Sequence, residues 1–283
     1  MKKIIILLVL FTSICSQAQQ AWTRDKGKFY SQLGATIYYY DSKVNIDNSI
    51  TAIDRKVTSN SIQAYLEYGI SDKLTANVIV PFVISDSKNT ATVQPIGISD
   101  GSLNALGNVN LGLTYNFYKK NGYVLTTKLQ STLPTASFKE NTGLRTGTDA
   151  FGIAPSFLFG YGGNKFFASA EFGFNYRTNK YSSQTIGGFQ IGKSFGANKK
   201  LLIIFHNEMQ SSNYDGKYDD KSSNATITYL NNQTYFAHGF KFGYKLNENL
   251  MAWGDIRTGS YTANLGANST PAPGLSFAIS YSN

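Results

Sequence analysis

Between residues 165 and 178 the chain alternates between apolar and polar side chains, and this pattern limits the folds open to it. The apolar set occupies every second position and comprises Phe166, Ala168, Ala170, Phe172, Phe174 and Tyr176. The intervening residues are mostly small or polar, among them Ser169, Glu171 and Asn175. A helix repeats every 3.6 residues and cannot sort side chains in this way, whereas a strand places successive side chains on opposite faces. The segment is therefore predicted to be a strand with one apolar and one polar face.

The same two-residue period recurs in other parts of the chain. It covers 60–70, 106–119, 148–161 and the last segment, 272–282. In each run, apolar and aromatic residues occupy one face and small or polar residues mostly occupy the other. Every run is at least as long as the ~9–11 residues that a tilted strand needs to cross a bilayer. We therefore predict strands that point one face to lipid and the other to a lumen.

Short turns and long polar loops alternate along the chain, as they do in outer-membrane β-barrels. The turns lie at 71–73, 119–122, 162–164, 197–199 and 247–249, and the loops at 41–55, 85–105, 135–147, 179–183, 213–231 and 262–271. They separate predicted strands at 27–40, 56–70, 73–84, 106–119, 123–134, 148–161, 165–178, 184–197, 200–212, 232–246, 249–261 and 272–282. The pattern predicts an all-β, transmembrane, antiparallel up-and-down β-barrel of about twelve strands. Because residues 224–230 also read as a short strand, counts of ten and fourteen stay open.

Composition favours a membrane barrel over a soluble protein. The chain has 19 Tyr, 19 Phe and 26 Gly but only 15% charged residues, against about 25% in typical soluble proteins. Beyond residue 20, no apolar run approaches the ~20 residues of a membrane helix. The alternative is a secreted soluble all-β protein, whose apolar face would pack against a second sheet.

The first residues are predicted to be a secretory signal peptide, 1–18. Lys2 and Lys3 precede an apolar run, and the small residues Ser16 and Ala18 precede a cut before Gln19. Residues 19–283 are then expected to form a single outer-membrane barrel domain. The only cysteine lies inside the signal, which excludes a disulfide scaffold, a thiolate metal site and a cysteine nucleophile from the mature chain.

Three segments resemble a known family of outer-membrane proteins. Residues 105–115 read Ala-Leu-Gly-Asn-Val-Asn-Leu-Gly-Leu-Thr-Tyr, 129–135 contain Leu-Pro-Thr, and 146–152 begin Thr-Gly-Thr-Asp. These segments are similar to motifs of the group labelled "meta-pathway of phenol degradation", often called transporters, in which Asp is usual at the position of Asn108. The likeness covers roughly 100–210. It implies a barrel fold and passage of aromatic or apolar compounds.

The side chains that the alternation predicts to point into the lumen include charges of both signs. The candidate channel-lining residues are Glu67, Lys128, Glu171, Arg177, His206, Glu208, Lys241, Asp255 and Arg257. Such side chains either filter solutes along an aqueous path or pair across the interior and stiffen the wall. The aromatic residues with inward phase are Tyr65, Phe167, Tyr235 and Trp253. They either stack an aromatic solute or fill space.

Two other functions compete with a channel. An outer-membrane lipid hydrolase or deacylase would need His206 or His238 as a base beside a nucleophile. We interpret His206 as a hydrogen-bonded partner of Glu208, and His238 has the lipid-facing phase. A closed barrel with a structural or surface-recognition role is the other alternative. The acidic loop around Asp215 does not have calcium-loop spacing, and we expect neither a cofactor nor a metal.

The sequence as a whole predicts an outer-membrane channel or facilitator for passive uptake or efflux of small molecules, and not an enzyme. Loops 85–105 and 213–231 are the expected gates. The expected location is the outer membrane of a Gram-negative cell, reached after signal-peptide export. The formal charge of +9 is scattered over turns and loops, which suits lipid headgroups better than nucleic acid. The expected partners are outer-membrane lipids, a small-molecule solute, and the periplasmic chaperones and barrel-insertion machinery of biogenesis.

Overall fold

The structure is a computed structural model that describes residues 21–90, 97–220, 223–258 and 267–283. The predicted signal peptide lies outside these residues. The strands are β1 (Phe29–Ile37), β2 (Tyr39–Val44), β3 (Ile50–Ser71), β4 (Leu74–Asn89), β5 (Gly101–Leu106), β6 (Asn110–Lys120), β7 (Tyr123–Thr132), β8 (Phe138–Lys139), β9 (Leu144–Arg145), β10 (Gly152–Gly162), β11 (Phe167–Arg177), β12 (Gln184–Phe195), β13 (Leu201–Ser212), β14 (Tyr235–Lys245), β15 (Leu250–Arg257) and β16 (Gly274–Ser282). Single 3₁₀ turns are formed by Glu140–Thr142, Ala197–Lys199 and Ser223–Ala225. No helix among the described residues is long and apolar enough to cross a bilayer.

The strands form one closed antiparallel barrel. β1 and β2 pair with β3 one after the other, and β5 and β6 pair with β4 in the same way, so each of these two pairs counts as one interrupted strand of the wall. β8 and β9 form a separate small hairpin. The last strand returns to the first, with Ser31 opposite Tyr281 and Leu33 opposite Ile279. The closed barrel therefore has twelve strands, which confirms the prediction. Residues 224–230 form no strand, and the counts of ten and fourteen are wrong.

The two faces of the wall follow the predicted alternation. On β10, Phe157 is 66% exposed on the outside, whereas its neighbour Leu158 is 2% exposed on the inside. Phe172 and Phe174 on β11 are likewise exposed on either side of an inward position. Exposed aromatic and aliphatic side chains recur along the outer face of the wall strands, and such a belt is the surface that a lipid bilayer covers. A soluble protein would instead bury that belt against a second layer.

Connections divide the barrel into two ends. At the turn end the links are short; Asn121 and Gly122 both have positive φ, 52° and 83°, as a two-residue hairpin requires. At the loop end the links are long. There the strands run further than predicted, because β3 begins at Ile50 and β4 ends at Asn89. These extensions were predicted to be loops because neither of their faces carries a consistent apolar set. Strand pairing still satisfies their backbone hydrogen bonds.

Candidate channel interior

All nine predicted lining residues have side chains on the inner side of the wall, and most are engaged with one another. Lys128 on β7 and Glu171 on β11 form an ion pair of 2.6 Å, with side chains 11% and 1% exposed. Ser156, on the strand between them, donates to the same carboxylate oxygen at 2.7 Å. The wall is therefore braced across three neighbouring strands.

A second charged cluster joins β13, β14 and β15. His206 Nε2 lies 2.8 Å from Asp255 Oδ1, and both side chains are buried. Lys241 stands directly opposite Asp255 in the strand register. The prediction that His206 pairs with Glu208 is wrong, because these two residues lie two apart on one strand, where the side chains reach across to neighbouring strands instead.

Glu208 belongs to a cluster nearer the loop end. One of its carboxylate oxygens accepts from the Tyr235 hydroxyl at 2.8 Å, and the other pairs with Arg257 at 3.2 Å. The Arg257 guanidinium also lies over the Tyr38 ring, 5.4 Å from its centroid. The charges on this side of the lumen are thus paired within the wall.

Glu67 and Arg177 differ from the other seven, because each binds a segment that enters the lumen. Glu67 on β3 pairs with Arg24 at 2.5 Å and accepts a short hydrogen bond from the Tyr65 hydroxyl. Arg177 on β11 donates to the carbonyl oxygens of Ser182 and Asn231, at 2.7 and 2.8 Å. Sequence reasoning placed both residues on the inner face but gave no sign of these partners.

Residues 21–25, the inner segment, lie inside the barrel at its turn end. Ala21 is fully buried against Val124 and Leu158, and its carbonyl oxygen accepts from the Thr126 hydroxyl at 2.5 Å. Across the lumen, the Arg24 backbone N–H donates to Thr75 at 2.8 Å. The segment therefore runs from β7 and β10 to β3 and β4.

The wall is shaped to receive the inner segment. Gly160 has no side chain, and a Cβ there would lie 2.8 Å from the Cβ of Ala21 and 3.2 Å from the Trp22 ring. Trp22 also packs edge-on against Phe167, with ring centroids 6.1 Å apart. Ala21, Trp22 and Arg24 were missed by sequence reasoning, because a short stretch before the first strand carries no periodic signal.

The loop between β13 and β14 folds into the other end. Its segment 226–231, the loop plug, is largely buried. Tyr40 on β2 donates to the Thr226 carbonyl at 2.7 Å, and Arg177 on β11 bonds to Asn231. Since β2 and β11 lie on opposite sides of the twelve-strand ring, the loop plug spans the mouth. Ile227 and Leu230 pack with Leu144, Val57 and Ala272 in an apolar cluster.

Other loops brace the loop plug. Thr226 donates to the Gly143 carbonyl at 2.7 Å, which ties the plug to the β8–β9 hairpin. In that hairpin the Arg145 guanidinium lies 4.0 Å from the Phe138 ring centroid and donates a short hydrogen bond to the Tyr218 hydroxyl. Fully buried Arg55 donates to the Ser99 carbonyl at 2.8 Å and so holds the described part of loop 85–105.

Burial and hydrogen bonding shift the pKa values of loop groups. Burial raises the pKa of the Asp220 carboxyl, although both of its oxygens accept from the Asn231 backbone N–H. The Ser183 hydroxyl, which donates to Asp215, lowers the pKa of that exposed carboxyl. Burial raises the pKa of Tyr229 to about 12. Asp220, in the acidic loop around Asp215, is thus half-buried.

Between the inner segment and the wall lies a cavity of about 450 Å³. Its aromatic lining comprises Trp22, Tyr30, Tyr65, Phe167 and Trp253. Its charged lining comprises Arg24, Lys241, Lys245 and Glu248. The cavity is therefore both aromatic and charged, and it opens at the turn end, where β14 and β15 meet.

Neither histidine has the surroundings of a hydrolytic base. His206 Nε2 is engaged by Asp255, and its Nδ1 is buried without a hydrogen-bond partner among the described residues. His238 lies on the outer face, with ring centroids 6.3 Å from both Phe205 and Phe236. No group of three or more His, Cys, Asp or Glu side chains in the described part of the chain is placed to hold a metal ion.

The three motif segments noted in the sequence meet at one place on the wall. Asn108, in the interruption between β5 and β6, donates from Nδ2 to the carbonyls of Leu133 and Thr148 at 2.8 and 2.7 Å. Its Oδ1 accepts from the Thr148 N–H at 2.7 Å. Thr135 donates to the Gly107 carbonyl at 2.6 Å. The motifs thus fasten the loop end of the wall and carry no catalytic group.

Comparison with known proteins agrees with this architecture. An outer membrane channel from Pseudomonas putida F1 superposes with a TM-score of 0.70 at 12% identity, covering 96% of this chain and 100% of that one. The NanC porin gives a TM-score of 0.50 at 6% identity, covering 88% and 99%. At these identities the likeness shows the fold. No curated protein matches the sequence.

A family model identifies the chain more closely. The model described as "Putative MetA-pathway of phenol degradation" matches residues 27–277, from just before β1 into β16. The match includes every strand that forms the wall, and it agrees with the resemblance of the three motif segments. The chain belongs to this family.

Proposed function

We propose that this protein is a passive channel for small molecules, including aromatic or hydrophobic ones, in the outer membrane of a Gram-negative cell. The observation that carries the proposal is the aromatic and charged cavity inside a closed, lipid-facing barrel. The family description and the outer membrane channel from Pseudomonas putida F1 support it. The turn end faces the periplasm in this proposal, because outer-membrane barrels keep their short turns there.

The mechanism requires movement at both ends of the lumen. The inner segment narrows the turn end beside the cavity, and the loop plug closes the mouth at the loop end. Each is held by hydrogen bonds, buried apolar side chains and one main cation, Arg24 or Arg177. Neither segment is a strand of the wall, so either can move without opening the barrel. Solute then passes when the segments leave, and the paired wall charges set which ions accompany it.

The proposal extends to the location and partners of the protein. Outer-membrane lipids contact the exposed belt, and the chain reaches the membrane by signal-peptide export with periplasmic chaperones and the barrel-insertion machinery. We expect no hydrolytic activity, because no nucleophile bonds His206 Nδ1 among the described residues and His238 lies on the outer face. It binds no nucleic acid.

Single-channel recording tests the proposed function. The chain beginning at Gln19 is refolded, checked by a heat-shift gel and placed in a planar bilayer. We expect brief openings in the wild type and longer ones in Arg24→Ala, because that variant loses the ion pair with Glu67. Lys26→Ala is the matched control, since its side chain is exposed and outside the lumen. A folded barrel that never conducts, in any of the three forms, contradicts the proposal and favours a closed structural barrel.

A further inference from the structure

The cavity at the turn end has the dimensions of a ligand site. Its volume is about 450 Å³, within the ~300–1,000 Å³ of small-molecule pockets. A cavity of about 150 Å³ already accepts benzene, so a single ring with a polar substituent and several waters fits. This inference rests on the proposed channel function and concerns the class of solute.

The polar atoms of three aromatic side chains around the cavity are hydrogen-bonded to other protein groups. The Trp253 indole N–H donates to Ser280 at 2.9 Å, and the Tyr30 hydroxyl donates to Gln32 at 2.6 Å. The Tyr65 hydroxyl is engaged by Glu67. Since these polar groups are satisfied within the protein, the walls offer ring surface for stacking.

The cations around the cavity differ in whether a carboxylate of the protein faces them. Arg24 is neutralised by Glu67, and Lys241 stands opposite Asp255. Lys245 also lines the cavity, and it forms no ion pair within the part of the chain that the structure describes. Glu248, on the turn beyond it, also lines the cavity, and both side chains are exposed. The Glu248 carboxylate therefore opposes, at the cavity opening, the attraction that Lys245 offers to an anion. An ammonium without a partner beside a set of rings is a complement for a carboxylate attached to an aromatic ring.

We propose that the cavity binds single-ring aromatic carboxylates, with the ring against Trp22, Phe167 and Trp253 and the carboxylate toward Lys245. The rings supply apolar contact, and Lys245 distinguishes the anion from a neutral compound of the same shape. The site lies on the solute path, so it selects which aromatic compounds the channel concentrates in its lumen.

The tryptophans provide the assay. The chain has 2 Trp, Trp22 and Trp253, and both line the cavity. Purified protein is titrated in detergent with benzoate, with benzyl alcohol as the neutral ring and with cyclohexanecarboxylate as the non-aromatic anion. We expect saturable quenching that is tightest for benzoate. Equal affinity for benzoate and benzyl alcohol, or no saturable quenching, overturns the proposal.

A pair of lysine variants tests the role of charge. Lys245→Gln is expected to weaken benzoate binding about two- to fivefold, the range of a solvent-exposed ion pair, and to leave benzyl alcohol binding unchanged. Lys120→Gln is the matched control, because Lys120 is exposed at the same end but does not line the cavity. Identical benzoate affinities in the wild type and Lys245→Gln overturn the proposal.

The channel recording separates this inference from the function on which it rests. If the protein conducts but shows no preference for benzoate, the solute inference fails and the channel stands. If benzoate binds but the wild type and Arg24→Ala never conduct, the channel function fails and the cavity is a binding site in a closed barrel.

Discussion

Lys128 and Glu171 show how the wall accommodates charge in a narrow lumen. The Glu171 carboxylate is 1% exposed, and an isolated charge at such a site would lose most of its hydration. Lys128 and Ser156 both engage its Oε1, while Oε2 is buried without a hydrogen bond among the described residues. Removing either side chain of the pair therefore leaves the other as a buried charge without its counter-charge.

We predict that Lys128→Met destabilises the barrel by roughly 3–5 kcal/mol, the cost of breaking a buried ion pair. The double variant Lys128→Met with Glu171→Leu should recover most of that loss, because it leaves no buried charge. Urea unfolding followed by tryptophan fluorescence measures both. A double variant that is as unstable as Lys128→Met would show that packing, and not the unpaired carboxylate, is responsible.

Asn108 gives a second prediction for a single residue. Its amide donates two hydrogen bonds and accepts two, both from Thr148, whereas Asp, usual in the resembling family motifs, cannot donate when ionised. Asn108→Asp would set a carboxylate against two carbonyl oxygens. We expect a loss of roughly 1–3 kcal/mol, the cost of leaving such groups unsatisfied, measured as a lower midpoint in heat-shift gels. Asn110→Asp, two residues along the chain, is the comparison, because among the described residues the Asn110 amide donates only one hydrogen bond, to the Asn108 carbonyl. An equal loss there would contradict a special role for Asn108.

At the scale of elements, the strands were predictable and the contents of the lumen were not. Alternation alone gave the inward phase of all nine charged candidates, because a two-residue period fixes the face of every side chain on a strand. Their partners depend on the register between strands, so His206 was assigned to Glu208 and not to Asp255. The loop plug and inner segment are irregular, and only long-range contacts fix where they lie.

The pKa of Asp220 makes the loop plug sensitive to pH. Burial raises that pKa in the folded loop, so protonation favours the folded loop over one that has left the mouth, where the pKa is ordinary. This stabilisation is complete below the ordinary aspartate pKa, about 3.9, and is lost as pH rises through the raised value. We therefore predict that channel openings become more frequent across that interval as pH rises.

Single-channel recording at stepped pH measures the effect. Asp220→Asn keeps the acceptor for the Asn231 N–H but cannot titrate, so its openings should not vary over the interval. Asp219→Asn is the comparison, since Asp219 is exposed and its charge raises the Asp220 pKa less than burial does; the pH response of this variant should persist, moved to lower pH. A pH response that persists unchanged in Asp220→Asn would place the titrating group elsewhere.

At the scale of the whole molecule, the two obstacles lie at opposite ends of one lumen. The inner segment contacts β3, β4, β7 and β10 at the turn end, and the loop plug contacts β2 and β11 at the loop end. A solute that crosses the barrel must pass both, so the obstacles act as resistances in series.

Resistances in series give a prediction about combined deletions. Removing residues 19–25 should increase the time-averaged conductance only modestly, because the loop plug still closes the mouth. Replacing 219–231 by a short Gly-Ser linker should have a similarly small effect. The protein with both changes should conduct more than the sum of the two single increases, since neither resistance then remains. Planar-bilayer recordings of the four proteins, each shown to be folded by its heat shift, measure this. If one deletion alone matches the double variant, the other segment does not obstruct the path, and the barrel has one gate.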